Sequence, residues 1–188
     1  ICLVAILGHL KSGQTMTEQE VRNKAIELAI KTMPSLKERA KKFSTCMDKQ
    51  VGVRLYSFDI NGSFHRLASG FNERTSSCEY SCISPCLATH AEIRALINMV
   101  QKNQLINMAQ TANLSLILPH LCISTLEPCH ECVKALVYAG TKIIIFDQET
   151  NPAKSGVHVW MEHNPYGRGR WINLNHEYEV ANVDSHSE

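Results

Sequence analysis

Leu121-Cys122-Ile123-Ser124-Thr125-Leu126-Glu127-Pro128-Cys129-His130-Glu131-Cys132 runs on through an amphipathic stretch to Gly140, and then into Thr141-Lys142-Ile143-Ile144-Ile145-Phe146. Leu121 to Thr125 is strand-like. A helix is predicted from Cys129 to about Ala139, with Gly140 closing its C-terminus. The Ile143-Ile144-Ile145 run reads as a strand buried on both faces. Strand, helix and buried strand in that order imply a parallel βαβ unit, and so an α/β fold.

The same stretch carries chemistry. Cys129 and Cys132 are three positions apart, so at a helix start both sulfurs face one point. The positive end of the helix favours thiolate over thiol there. Upstream, Leu87-Ala88-Thr89-His90-Ala91-Glu92-Ile93-Arg94 offers an imidazole with a carboxylate two residues on. Zinc takes nitrogen and sulfur ligands in tetrahedral geometry, and a catalytic site leaves one position open. His90, Cys129 and Cys132 supply three ligands and leave the fourth for water. Two thiolates neutralise the metal's charge and soften it as a Lewis acid, so a separate proton carrier is needed. Glu92, on the same helix as His90 and not a ligand, suits that task. A structural zinc clip would want a fourth protein ligand, and no second Cys-x-x-Cys or His-x-x-x-His follows. His130 would point off the ligand face of its helix.

Around these two segments the chain reads as one domain over residues 16–188. Thr17 to Glu20 is a capping box opening a helix with Ile26, Ala29, Ile30 and Met33 at helical spacing. Pro34 is expected to interrupt it and Ser35 to restart it, with Lys37, Arg39, Lys41 and Lys42 as a solvated or nucleic-acid-facing edge. Gln50 to Phe58 alternates as a strand with Val51, Val53 and Leu55 on one face. Asp59 to Ser63 is a hairpin turn, and Phe64 to Ser69 returns as a second strand. The His90 helix is expected to start near Leu87 or Ala88. Leu105 to Asn113 reads as a separate short helix, and Leu114 to Ile117 as strand-like, cut off by Pro119. Val157 to Trp160 and Trp171 to Leu174 are short strand or helix candidates. Gly167-Arg168-Gly169-Arg170-Trp171 is a basic, aromatic cluster, either a turn with exposed arginines or a grip for a phosphate or single strand.

Composition narrows the classes. At 188 residues and 44% hydrophobic content the chain holds a full core, and its net charge of +1 gives no strong pull toward nucleic acid or membrane. Eight cysteines is a high count. A dithiolate zinc centre needs reduced thiols, so a cytoplasmic setting is expected. The apolar run Ile1 to Leu7 is too short to span a bilayer. Residues 1–15 are expected to be a non-native or disordered segment ahead of Met16, or else an added strand.

His-x-Glu followed by Pro-Cys-x-x-Cys is the signature of the zinc nucleobase deaminases, and the chain fills each named position. Over about residues 40 to 150 it resembles the cytidine deaminase-like superfamily. Phe43-Ser44-Thr45-Cys46 with Gln50-Val51-Gly52-Val53, and Ala68-Ser69-Gly70-Phe71-Asn72, are similar to segments of the deoxycytidylate (dCMP) deaminases. Thr125-Leu126-Glu127-Pro128-Cys129 also looks like the tRNA adenosine deaminases. The resemblance implies a three-layer α-β-α sandwich with a mixed five-stranded sheet and zinc between the two motif helices. It implies zinc on His90, Cys129 and Cys132, with Glu92 shuttling protons. The Ala91 amide would meet the pyrimidine carbonyl, and Asn72 the sugar hydroxyl. It also implies a homo-oligomer.

Two departures stand out. Where the dCMP deaminases carry Gly-x-Pro-x-Gly, this chain has Glu73-Arg74-Thr75-Ser76-Ser77; Arg74 is then either the phosphate ligand or a solvated loop residue. His90 and Cys129 stand 39 positions apart, longer than is usual in the family, with Gln101–Asn113 the expected insertion. Some viral dCMP deaminases hold a second, structural zinc, and Cys46 and Cys78 match two of its ligand positions. Cys46, Cys78, Cys82 and Cys86 therefore read as a second zinc site or as buried thiols, with His65 and His120 as alternative ligands and Cys122 as core. The function expected is hydrolysis of dCMP to dUMP and ammonia. The alternatives are a base in RNA of the tRNA adenosine type, another purine or pyrimidine nucleotide or free base, and a catalytically silent zinc scaffold.

Overall fold

Thr17 caps the first helix in both directions: its hydroxyl accepts from the Glu20 amide at 3.2 Å, and the Glu20 carboxylate accepts from the Thr17 amide at 2.7 Å. The computed structural model describes residues 16–46, 49–59, 62–74, 88–109 (side chains of 103–109 excepted), 118–163 and 169–175. Helix α1 (Glu18–Phe43) is followed by β1 (Gly52–Phe58), β2 (Phe64–Phe71), α2 (Ala91–Ala109), β3 (Leu121–Leu126), α3 (His130–Tyr138), β4 (Ile143–Gln148), a 3-10 helix (Pro152–Lys154), α4 (Val157–His163) and β5 (Arg170–Asn173). The five strands lie in the order β2-β1-β3-β4-β5. β1 runs antiparallel to both β2 and β3, while β3, β4 and β5 are parallel. The unit expected around Cys129 is thus present, and α3 is its crossover.

Strand alternation sorts the two faces. Leu121, Ile123, Ile143, Ile145 and Ile172 pack with Ala25, Ala29, Met33 and Leu36 of α1. Cys122, Ile144, Phe146 and Trp171, from the same strands, pack on the opposite face with Ala91, Ala95, Met99, Val133, Leu136 and Trp160. One helix therefore covers one face and α2, α3 and α4 cover the other: a three-layer α-β-α sandwich around a mixed sheet.

Several expectations need correction. Pro34 does not break the first helix but lies inside it. The buried stripe Ala25, Ala29, Met33, Leu36 and Ala40 continues across it, and its burial outweighs the one lost ladder bond. Ser35 Oγ donates to the Thr32 carbonyl at 3.0 Å, beside the gap in the ladder. Ile30, at 61% exposed, falls off that stripe. Residues Leu105–Ala109 extend α2 rather than forming a separate helix. β2 runs two residues beyond Ser69, to Phe71. Val157–Trp160 is helical and Trp171–Asn173 is strand. The segment Leu114–Ile117, residues 1–15 and 110–113 of the expected insertion lie outside the described residues.

His120 stands at the entry to β3, where its Nδ1 accepts from the Phe58 amide at 3.0 Å. Burial, and then the charge of Lys142, hold its pKa below the ordinary 6.5. Above that value the ring is neutral in both folded and unfolded chains. Below it the unfolded chain takes up a proton that the folded ring resists, so stability falls with pH. Denaturant midpoints measured at about pH 7.5 and about pH 5.5 are expected to drop on acidification. The drop should be smaller in His120→Gln, which keeps an acceptor but does not titrate; equal drops would remove His120 as a cause.

Candidate metal centre and active site

The start of α2 is built by its neighbours. His90 precedes the helix and its carbonyl accepts from the Arg94 amide at 2.9 Å, so the helix begins at Ala91 rather than at Leu87 or Ala88. Asn72, just past β2, lends Oδ1 to the Ala91 amide at 2.9 Å and donates through Nδ2 to the Lys49 carbonyl at 3.0 Å. Glu73 and Thr89 pair through both backbone groups, and Glu73 holds Arg94 Nε at 2.8 Å. Gly70 brings β2 against the helix backbone: a Cβ there would overlap the Ala91 carbonyl and the Ala95 amide. Gly70→Ala must push β2 and α2 apart and is expected to cost about 3 kcal/mol, the upper range for overpacking. The shift in denaturant midpoint measures this, and a shift under a third of that size would show that the helix start yields easily.

The second half comes from the end of β3. Pro128 leads into Cys129, the extended N-cap of α3 (φ −77°, ψ 169°), whose carbonyl accepts from the Val133 amide at 2.9 Å. The Cys129 side chain makes no capping hydrogen bond; its sulfur turns to His90 instead. Cys132, in the first turn, is buried. α2 and α3 share one face of the sheet, so their two starts converge.

His90 Nδ1 lies 3.4 Å from Cys129 Sγ and 3.3 Å from Cys132 Sγ. All three candidate ligand atoms fall within 4.8 Å of one another. Nitrogen and sulfur ligands at tetrahedral angles around zinc sit about 3.6 Å apart. The donor set and its spacing therefore fit a zinc ion, with three ligands among the described residues. Electrostatics favour the thiolate at Cys129 and the thiol at Cys132. The hydrogen bond from the Cys132 thiol, helped by His90, pulls Cys129 down to about 3. That same bond and burial push Cys132 up. Glu92 is 4% exposed. Burial raises its pKa above the usual carboxylate value, and its carboxylate meets the Cys132 thiol. A carboxylate that can hold or release a proton thus stands against the ligand cluster.

The remaining candidates divide. Asn72 and Ala91 are at the centre but bonded to each other. The Arg74 amide donates to Thr45 Oγ1 at 2.7 Å, one loop away. Cys46 is buried, whereas Cys78, Cys82 and Cys86 lie outside the described residues. His65 pairs with Asp59 at 2.6 Å. Cys122 is core, as expected. The exposed basic and aromatic reading fails for Trp171, which is buried between Phe146 and Trp160 because β5 adds to the sheet edge; Gly167 and Arg168 lie outside the described residues. Sequence reasoning missed Gly70, Gly156, Glu127 and Ser155. Only Glu127 left a trace, as a lone carboxylate between an apolar strand and the Pro-Cys pair.

A family model described as the cytidine and deoxycytidylate deaminase zinc-binding region matches residues 26–148. Among solved structures, the dCMP deaminase of cyanophage S-TIM5 in apo form aligns with a TM-score of 0.51 at 24% identity, covering 78% of this chain and 96% of that one. Its complex with dCMP and dUMP aligns at 0.47 and 23%, covering 82% and 95%. A guanine deaminase from Nitrosomonas europaea aligns at 0.40 and 14%, covering 85% and 76%. No curated protein matches. Among the described residues no helix is long and apolar enough to cross a membrane. The family match runs from α1 to the end of β4 and encloses His90, Glu92, Cys129 and Cys132. The chain accordingly belongs to the cytidine and deoxycytidylate deaminases, a family of zinc-binding hydrolytic deaminases.

Proposed function

We propose that this protein deaminates a free nucleotide, converting dCMP and water to dUMP and ammonia. The observation that carries the reading is the buried Glu92 carboxylate set against the His90, Cys129 and Cys132 donors. The pyrimidine nucleotide is supported by the segments Phe43–Cys46, Gln50–Val53 and Ala68–Asn72. A net charge of +1 offers little field for a nucleic-acid substrate.

His90 Nδ1 and the two sulfurs would hold the zinc, which would supply a Lewis acid able to make water nucleophilic near neutral pH. Glu92 takes a proton from the attacking water and delivers it to the ring nitrogen as the new C–O bond forms. It then takes the proton of the new hydroxyl and passes it to the amine, so that the C–N bond breaks, ammonia leaves and the carbonyl forms. Its burial keeps bulk water from competing for those protons. The Ala91 amide receives the pyrimidine carbonyl and Asn72 the sugar hydroxyl. Asn72 Oδ1 accepts from the Ala91 amide at 2.9 Å, so the two groups stand side by side. Arg74 meets the phosphate. A cytoplasmic homo-oligomer built from a single domain over residues 16–188, with a second zinc on Cys46, Cys78, Cys82 and Cys86, completes the proposal.

Ammonia release from dCMP, CMP, dCTP, deoxycytidine, dAMP, dGMP, guanine and a tRNA anticodon stem-loop tests it, with zinc per chain counted on the same sample. Turnover of dCMP above the other substrates is expected. Activity confined to a purine or to RNA would sink the dCMP assignment and keep the zinc chemistry. One zinc per chain, rather than two, would remove the second site.

A further inference from the structure

Glu127 is a carboxylate at 8% exposure, and the chemistry above does not use it. Its Oε1 accepts from Ser155 Oγ at 2.6 Å and its Oε2 from the Thr150 amide at 3.1 Å. Both donors belong to the segment between β4 and α4. That segment lies directly on the metal-binding turn: Ser155 pairs with Cys129 in an isolated antiparallel bridge, and the Gly156 amide donates to the Pro128 carbonyl at 3.0 Å. The approach is close enough to demand glycine, since a Cβ at Gly156 would overlap the Val133 side chain and come within 2.8 Å of the Pro128 carbonyl. Charge-assisted hydrogen bonds are about twice as strong as neutral ones. A buried carboxylate holding two donors thus ties this segment to the strand end that leads into the Cys129 turn.

We propose that Glu127 and Ser155 form a clamp that positions Cys129 and so sets how tightly the centre holds its metal. The clamp grips the backbone on both sides of the ligand. Glu127 is two residues before Cys129 in sequence, and Ser155 faces Cys129 across the bridge. Glu127 is a positioning residue: it acts through Ser155 and the Cys129 backbone and does not touch the ligand atoms. The proposal rests on zinc being held by His90, Cys129 and Cys132.

The test uses zinc-loaded full-length protein and the rate of zinc release to a chromogenic chelator in excess. Glu127→Gln keeps size but loses the second acceptor; Ser155→Ala removes the first donor. Each is expected to speed release about tenfold or more, the usual range for groups that orient metal ligands from outside the coordination sphere. Because the two act as one device, the double variant should release zinc no faster than the faster single one. Leu36→Ala, on the opposite face of the sheet, destabilises the fold and is expected to release zinc at the wild-type rate. Cobalt(II)-loaded Glu127→Gln should also show a shifted thiolate-to-metal absorption band, which general loss of stability does not produce. Wild-type release rates in both single variants, multiplicative effects in the double, equal acceleration in Leu36→Ala or an unshifted band would each overturn the clamp. A wild-type chain that takes up no zinc would instead overturn the reading of the centre on which the clamp rests.

Discussion

Glu92→Gln is expected to lower turnover by about 10²–10⁴-fold, the range general acid–base catalysis contributes, with zinc content unchanged. The amide keeps the size, the burial and the hydrogen-bonding reach of the carboxylate, but it cannot take a proton and return it. The side chain is 4% exposed and sits in the first turn of α2, so it has little room to move and no bulk water to take over its role. No ligand atom is lost, since the candidate ligands are His90, Cys129 and Cys132. The measurement is the rate of ammonia release on the best substrate, paired with metal analysis. Turnover within threefold of wild type would end the assignment of Glu92 as the proton carrier. Loss of zinc along with activity would make Glu92 part of the metal's support instead.

Cys132→Ser is expected to fail differently, by losing the metal. Cys132 is 1% exposed and its sulfur lies 3.3 Å from His90 Nδ1. Serine fits the space, so the fold should survive, yet its hydroxyl stays protonated near neutral pH and is a poor ligand for zinc. Bound zinc should fall below about one-tenth per chain after passage through chelator-treated buffer, because metal affinity here depends on deprotonated sulfur. Activity should fall in the same proportion, and the far-ultraviolet circular dichroism should be retained. Full zinc occupancy in the serine variant would remove Cys132 from the ligand set. The two substitutions thus separate proton transfer from metal binding: one removes turnover and spares the metal, the other removes the metal and turnover with it.

The donor residues of the centre were legible because each half is local. Cys129 caps the helix whose first turn holds Cys132, and Glu92 stands two positions after His90 at the start of α2. The pattern reading of Leu121 to Phe146 likewise matched a strand, a crossover helix and a buried strand. Expectations failed where a distant partner outweighed a local preference. Pro34 is tolerated because α1 buries residues on both sides of it against the sheet. α2 starts at Ala91 because Asn72, 19 positions away, takes the first amide. Trp171 is buried because β5 joins the sheet and α4 folds over it.

By itself, then, the sequence determined the α/β class, the helix and strand periodicities, the thiol and imidazole donors and the carboxylate that accompanies them. Residue type sets chemistry, and short spacing sets which side chains share a turn. The tertiary structure decided what distance along the chain leaves open. It chose Nδ1 of His90 as the atom facing both sulfurs. It joined Asn72 to Ala91, and it tied Glu127 to Ser155 across 28 positions. Those choices follow from strand order: β3 and β4 pair in parallel and α2 and α3 pack on one sheet face, so segments far apart in sequence meet within hydrogen-bond reach, which no local pattern encodes.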